Sequence, residues 1–282
     1  MNPSLVGSEM CIRDRLTLIV FQFSYSQKIT IDISLSKIID ETSGLEIIDG
    51  QFVTHNDSGG DPALYYLDEK GKIVETRKIA GVKNTDWEDI TKDEEFLYVA
   101  NMGNNYDTRK NLSIVKIPIQ KSSNENVEVI NFSYPEQKKF KRIYRRSEYD
   151  AEALISFEDK LLIFTKNKRK KITEIYSLPK NGGNYQAKKI GSLNTDSIVT
   201  GGDYDKETNT LALTSTIKFD EYYVLIISDF SLNNKNQKID MYEIPIGKTQ
   251  VEAIKIIDPT TFWITSEDEK SSSAARLMKF KL

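Results

Sequence analysis

Behind residue 35 of this 282-residue chain, one pattern of strand-like runs recurs five times, and no other feature restricts the fold as much. Each unit opens on a small or acidic residue followed by apolar ones: residues 43–47 (SGLEI), 88–90 (EDI), 152–155 (EALI), 200–203 (TGGD) and 252–254 (EAI). After a short polar turn, such as Asp49-Gly50 or Asp258-Pro259, comes a second run that ends in polar residues. These are 52–57 (FVTHND), 97–103 (LYVANMG), 161–167 (LLIFTKN), 211–216 (LALTST) and 262–268 (FWITSED). Third runs lie at 63–68, 112–118, 172–179, 223–228 and 275–282. The first four units add a fourth run, at 73–79, 127–133, 185–191 and 239–245.

The runs are rich in β-branched and aromatic residues and are separated by Asp-Gly, Asp-Pro and Asn-Gly turns, which marks them as strands. No stretch carries a sustained apolar stripe of helical period, so the chain reads as all-β. The fifth unit has three runs, and residues 28–35 (KITIDISL) supply its fourth. Borrowing a strand from the other end of the chain closes a ring, which is how a β-propeller removes its open edges. The 256 residues of 27–282 divide into five units of about 51, a usual blade size. The expected fold is a five-bladed β-propeller in one domain, 27–282, with the N-terminal strand closing the last blade. A two-sheet β-sandwich is the structural alternative.

The first 26 residues stand apart from the repeat. Residues 16–23 (LTLIVFQF) form an apolar run followed by Ser24 and Ser26, with Arg13 and Arg15 ahead of it. That is the layout of a truncated signal peptide over 16–26 cut before Gln27, which would place the product in the periplasm or outside the cell; the alternative is a buried first strand. Residues 8–15 (SEMCIRDR) resemble a translated sequencing adapter, so 1–15 are read as an artefact. Cys11, the only cysteine, lies there, which excludes disulfides, thiolate-bound zinc and a thiol nucleophile from the domain. A single histidine, His55, excludes a His-rich metal site. With 39 Lys+Arg against 42 Asp+Glu the net charge is −3, so general attraction to double-stranded nucleic acid is not expected. No apolar run approaches the roughly 18 residues of a membrane span. A monomer is expected.

Propeller geometry converts the repeat into a site. The innermost strands line a central channel, so Ser43, Glu88, Glu152, Thr200 and Glu252 form one ring of oxygen-bearing side chains, with Asp203 the alternative to Thr200 in the fourth unit. Three carboxylates crowded into a channel repel one another and call for protons, basic partners or a cation. Oxygen ligands without His or Cys favour a hard ion, and flexible coordination by six to eight oxygens suits calcium better than magnesium. The plainer alternative sets these carboxylates beside lysines or in bulk water.

The order Ser, Glu, Glu, Ser/Thr, Glu on five inner strands is similar to the calcium-activated nucleotidases (apyrases), five-bladed propellers with a central calcium. The match covers those five positions and little else, with Thr200 in place of a serine. A second resemblance covers about half of the domain. Residues 43–45 (SGL), 54–59 (THNDSG), 86–90 (DWEDI), 101–105 (NMGNN) and 150–154 (DAEAL) look like an uncharacterised bacterial exported propeller family near the esterase-like phytase and SdiA-regulated groups. That likeness implies the fold and the site and leaves the reaction open.

The second runs deliver His55, Asn56, Asp57, Asn101, Asn104 and Lys166 to the face where the ring lies. His55 has the one unperturbed pKa near neutrality, so it and Asp57 are the candidate proton-transfer groups. Asn56, Asn101, Asn104, Arg145, Arg146 and Lys166 are the candidate substrate-binding groups. Residues 138–146 and 166–171 hold 11 of the 37 Lys and Arg of the domain, which read either as a solvated loop pair balancing an acidic surface or as an anion site beside the calcium in which arginines fork phosphate oxygens. Tyr144 and Phe140 are placed to stack a base or sugar. Neither a dinucleotide-binding glycine motif nor a P-loop occurs. The expected function is a calcium-dependent hydrolase of a phosphate-bearing substrate, a nucleotide or phytate-like molecule, with an anionic small molecule or polyanion as partner. The alternatives are a non-catalytic binding propeller with structural calcium, and an esterase or lactonase.

Overall fold

In a propeller the inner and middle strands of each blade are covered on both faces, whereas the outermost strand is half exposed, and the burial follows that rule. The protein is represented by a computed structural model that describes residues 27–121, 126–143, 146–218, 220–234, 236–247, 249–268 and 274–282. The expected signal peptide and adapter segments, and Tyr144 and Arg145, lie outside the described residues.

The first blade contains β2 (Thr42–Ile48), β3 (Gln51–Asn56), β4 (Ala63–Leu67) and β5 (Ile73–Lys78). The second contains β6 (Trp87–Lys92), β7 (Phe96–Asn101), β8 (Leu112–Pro118) and β9 (Glu128–Ser133). The third contains β10 (Ala151–Phe157), β11 (Lys160–Thr165), β12 (Thr173–Pro179) and β14 (Lys188–Leu193). The fourth contains β15 (Ile198–Asp205), β16 (Thr210–Thr216), β17 (Tyr222–Ile227) and β18 (Asp240–Glu243). The fifth contains β19 (Val251–Asp258), β20 (Thr261–Ser266), β21 (Arg276–Lys281) and, antiparallel to β21, the N-terminal β1 (Lys28–Ser34). The chain is therefore a five-bladed β-propeller, closed as the repeat predicts. Among the described residues no helix is long and apolar enough to cross a membrane.

Five apolar clusters hold the ring together, one at each seam between neighbouring blades. Between the second and third blades, for example, Tyr98, Ile114 and Phe132 pack on Leu161, Ile163 and Tyr176. The other four seams are built likewise. The fifth-to-first seam depends on the closing strand, because Leu35 and Ile33 pack with Leu277 and Trp263. Arg276 also forks both carboxylate oxygens of Asp32, tying the closing strand to β21.

One expected strand is divided between two blades. Residues 185–191 read as the outer strand of the third blade, but Tyr185 and Gln186 belong to β13 (Gly183–Gln186), a fifth strand parallel to β9 on the second blade. The break falls at Ala187, whose N–H donates to the Ser133 carbonyl (2.9 Å) before β14 begins on the third.

The inner strands carry a feature that the repeat does not disclose. In four blades the ring residue is the extra residue of a β-bulge: pairing with the second strand skips Glu88, Glu152, Thr200 and Glu252. In the first blade the shift falls between Ser43 and Glu46. A bulge re-aims the side chain of its extra residue, and here it does so at the same level of four blades.

Removing β1 strips the apolar cover from β21 and the fifth-to-first seam. A chain starting at Ser36 is expected to lose more than about 3 kcal/mol of stability and to self-associate through the exposed β21 edge. Thermal unfolding and light scattering against residues 27–282 check both outcomes.

Candidate functional site: an acidic well at the channel mouth

At the end of the channel where the inner strands begin, the bulges gather carboxyl groups. Oxygens of Asp57, Asp86 and Glu88 lie within 4.8 Å of one another, and so do oxygens of Glu88, Asp150 and Glu152. Glu88 is common to both groups. Asp86 and Asp150 each precede a bulge glutamate by two residues, in the repeated spacing Asp-x-Glu. Glu252 joins from the fifth blade, and Lys166 and Glu152 are the charges that act on it most strongly.

Glu88 is 5% exposed, yet among the described residues its carboxylate accepts no hydrogen bond and has no ion-pair partner within 4 Å. Burial, then Glu152, Asp57, Asp86 and Asp150, hold its pKa well above the usual carboxylate range. Glu252, 7% exposed, likewise accepts no hydrogen bond from a described residue, and burial raises it despite Lys166. Burial also pushes Asp57 up to about 9, with Asp86, Glu152, Glu267 and Glu41 adding to the effect. Asp86 rises to about 6 through burial, partly offset by Arg109. One oxygen of Asp57 is buried without a hydrogen-bond partner among the described residues.

Among the described residues three cations face these groups. Lys166 Nζ contacts Glu152 Oε1 (2.6 Å), and Lys168 Nζ contacts Asp150 Oδ2 (2.9 Å). Arg109 approaches Asp86 at 3.7 Å. Burial opposes the charge of Lys166, but Glu152, Glu252, Asp150 and Glu88 outweigh it and hold the ammonium pKa well above normal.

The loop after β7 forms the floor under Glu88 and Asp86. A Cβ at Gly103 would lie 1.8 Å from Glu88 Oε1 and 2.3 Å from Asp86 Oδ2, so only glycine lets the two carboxylates rest against this backbone. Arg109 fastens the loop by donating to the Gly103 carbonyl (2.6 Å) and to Asn101 Oδ1 (3.0 Å). Asp86, Asp150, Gly103 and Arg109 are the site residues that the repeat alone did not bring out. The twice-repeated Asp-x-Glu was the signal for the first two, since alternate residues of an extended strand share a face.

The ring expected from the sequence divides. The structure brings Glu88, Glu152 and Glu252 to the well, joined by Asp57. Ser43 and Thr200 act instead as clasps between blades: Ser43 Oγ donates to the Glu88 carbonyl (2.5 Å) and Thr200 Oγ1 to the Val251 carbonyl (2.7 Å). Asp203 faces the channel further along. There Lys255 Nζ bridges Asp203 Oδ1 and Glu46 Oε1, both at 3.0 Å. A cavity of about 1290 Å³ opens at that opposite end, lined by Glu46, Lys92, Phe96, Asp203, Tyr204 and Lys255 among others.

His55 is not placed for proton transfer. It is fully buried, edge-on to Trp87 (centroids 5.5 Å apart), with its ring against the Asn56 and Asp89 carbonyls. Burial pushes its pKa down to about 4, so it is neutral and works as a packing residue between the first two blades. The asparagines are tethers. Asn56 Nδ2 donates to the Ile38 carbonyl (2.8 Å), and Asn101 Oδ1 accepts from Asp86 N (3.2 Å) and Arg109. Asn104 N donates to Asp150 Oδ1 (2.7 Å), and its side-chain oxygen accepts from Arg109 N (2.9 Å).

The two basic stretches differ. In the second, Lys166, Lys168, Arg169 and Lys170 pair with Glu152, Asp150, Glu148 and Glu174. In the first, Lys138, Lys139, Lys141, Arg142 and Arg146 are exposed. Arg142 stacks on Tyr106 (4.1 Å) and Lys110 on Phe140 (5.0 Å).

No protein-family model matches the chain, and no curated protein sequence matches it. Solved structures do resemble it. A PQQ-bound aldose sugar dehydrogenase from Streptomyces coelicolor superposes with a TM-score of 0.54 at 10% identity, over 91% of this chain and 98% of that one. An exo-β-1,3-galactanase from Phanerochaete chrysosporium gives 0.52 at 9% identity, over 92% of this chain and 64% of that one. At such identities the likeness extends to the fold alone.

Two expectations follow from the well. Asp57 and Asp86 have folded-state pKa values above their ordinary 3.8, so the folded protein binds protons that the unfolded chain has released. Their contribution is complete below about pH 4 and is lost as pH rises through about 6 and about 9. In chelator the melting temperature should therefore fall between about pH 5 and 9. A melting temperature constant or rising over that range would contradict the charge arrangement. Gly103→Ala should cost about 1–3 kcal/mol through overpacking, seen as a lower melting temperature, because Glu88 must leave its seat.

Proposed function

We propose that the protein is an exported calcium-binding propeller that hydrolyses a phosphate-bearing substrate, a nucleotide or phytate-like molecule, at the acidic well. The observation that carries the reading is Glu88: a carboxylate 5% exposed, with no donor or ion-pair partner among the described residues and four carboxyl groups around it. An arrangement of that kind costs several kcal/mol unless a proton or a cation offsets it. Asp57, Asp86 and Glu88 are the residues that would hold the ion. Carboxylate oxygens without nitrogen or sulfur fit calcium.

Calcium, when bound, supplies the positive charge that allows an anionic oxygen into an otherwise acidic well and polarises it. Gly103 and Arg109 keep Glu88 and Asp86 in position. The exposed Lys138, Lys139, Lys141, Arg142 and Arg146 would draw the anion to this face. Export rests on the apolar run at residues 16–23. A second reading, a non-catalytic propeller pinned by calcium, draws support from the burial of His55 and from the pairing of Lys168, Arg169 and Lys170 with acids.

Calorimetric titration of residues 27–282 with calcium should show binding that Glu88→Gln weakens at least about tenfold, the cost of at least about 1.4 kcal/mol expected for a lost charged ligand. Absence of binding in the parent protein would overturn both readings. Turnover of phosphate esters that chelation abolishes would support the hydrolase. Calcium binding without turnover on any phosphate ester would select the second reading.

A further inference from the structure

The two carboxyl groups of three in the well are not equivalent. In the first, Asp57 and Asp86 lie in hydrogen-bonding contact with each other, one Asp57 oxygen has no partner, and among the described residues the only ion-pair partner of either is Arg109, 3.7 Å from Asp86. In the second, Glu152 is bound at 2.6 Å by Lys166, and Asp150 at 2.9 Å by Lys168 and at 2.7 Å by the Asn104 N–H. Two cation sites sharing one carboxylate are a familiar arrangement for phosphoryl chemistry. Here one side of that arrangement already holds ammonium groups from the chain itself.

Lys166 is the central one. Its backbone N–H donates to the Asp150 carbonyl (2.7 Å), which fixes the root of the side chain at the rim. Its side chain is 12% exposed, against 4% for the Glu152 side chain it contacts. Glu152, Glu252, Asp150 and Glu88 all act on its charge. Glu252, with no hydrogen-bond donor among the described residues, relies on Lys166 for its charge compensation.

We propose that the Lys166 ammonium is a built-in second cation: it occupies the Glu152–Glu252 side of the well, limits the well to one divalent ion on Asp57, Asp86 and Glu88, and with that ion presents a pair of positive centres to a bridging oxyanion. The inference rests on the calcium reading above and deepens it. The charges agree. Once a divalent ion has displaced the protons that burial and crowding hold on the well, the six carboxylates (Asp57, Asp86, Glu88, Asp150, Glu152 and Glu252) against Arg109, Lys166 and Lys168 leave three negative charges, which one divalent ion reduces to one. Glu267, whose carboxylate accepts from Gln250 (2.9 Å), is outside this set. A second divalent ion would make the well positive while Lys166 remains. Without Lys166 four negative charges remain, enough for two ions. The ligand class is a tetrahedral oxyanion, and inorganic phosphate is the probe.

The test is calcium stoichiometry by calorimetry on residues 27–282 and on Lys166→Met, followed by phosphate titration of the calcium-loaded proteins. The expected result is one calcium in the parent and two in Lys166→Met, with phosphate bound by the doubly loaded variant at least as tightly as by the parent, because the second ion restores the positive centre that Lys166 supplied. Lys166→Gln, which keeps a hydrogen-bond donor for Glu152, should give the same stoichiometry and provides the measurement if the methionine variant does not fold. Two calcium ions in the parent, or one in a folded variant, would overturn the inference and leave the calcium reading intact. No calcium in the parent would overturn that reading itself.

Discussion

Five sheets packed face to face around one axis have to bring their innermost strands together, and everything particular to this protein follows from that convergence. The seams are apolar and close-packed, so the blades cannot spread to relieve crowding along the axis. Side chains that would be well separated on an open sheet are therefore pressed to hydrogen-bonding distance. The ring is only as rigid as its closure, where Leu35 and the Arg276–Asp32 pair hold the N-terminal strand against the last.

Within that frame charge is handled in two ways. Toward the end with the large cavity, Lys255 arises from an inner strand and reaches Asp203 and Glu46 directly, while both oxygens of Asp89 accept backbone N–H groups from Ile90 and Leu154 (2.8 Å each). Every carboxylate named there has a donor. At the other end the bulges turn Glu88, Glu152 and Glu252 into the channel, and the asparagines and Arg109 are spent on holding the surrounding loops. The rim is stiff because its polar groups are committed to backbone. Carboxylates rather than amides are left facing the mouth.

The repeat made the blades and the closure legible because each depends on local strand chemistry counted five times. The bulges were not legible. A one-residue register shift has no compositional mark, so Ser43 and Thr200 looked equivalent to Glu88, whereas their hydroxyls clasp the next blade. His55 misled for a different reason: the Trp87 that buries it comes from the following blade, and no spacing within residues 52–57 reveals that contact. The division of residues 185–191 depends on parallel pairing with residues 130–133, again beyond local pattern. Asp86 and Asp150 were within reach, since the Asp-x-Glu spacing occurs twice at the start of consecutive inner strands.

Stability alone does not account for the difference between the two ends of the channel. The same inner strands pass through both, and the chain shows at Lys255 that it can neutralise buried carboxylates with an internal lysine. A second such lysine near Glu88, or an apolar residue in its place, would remove an unpartnered buried carboxylate that by general experience costs several kcal/mol. The repeat instead places acids at 86, 88, 150, 152 and 252, and the backbone at Gly103 gives up a side chain so that two of them fit. A fold that accepts this expense at one end and avoids it at the other leaves a place there for a proton or a cation, which is the ground on which calcium, with Lys166 beside it, is proposed.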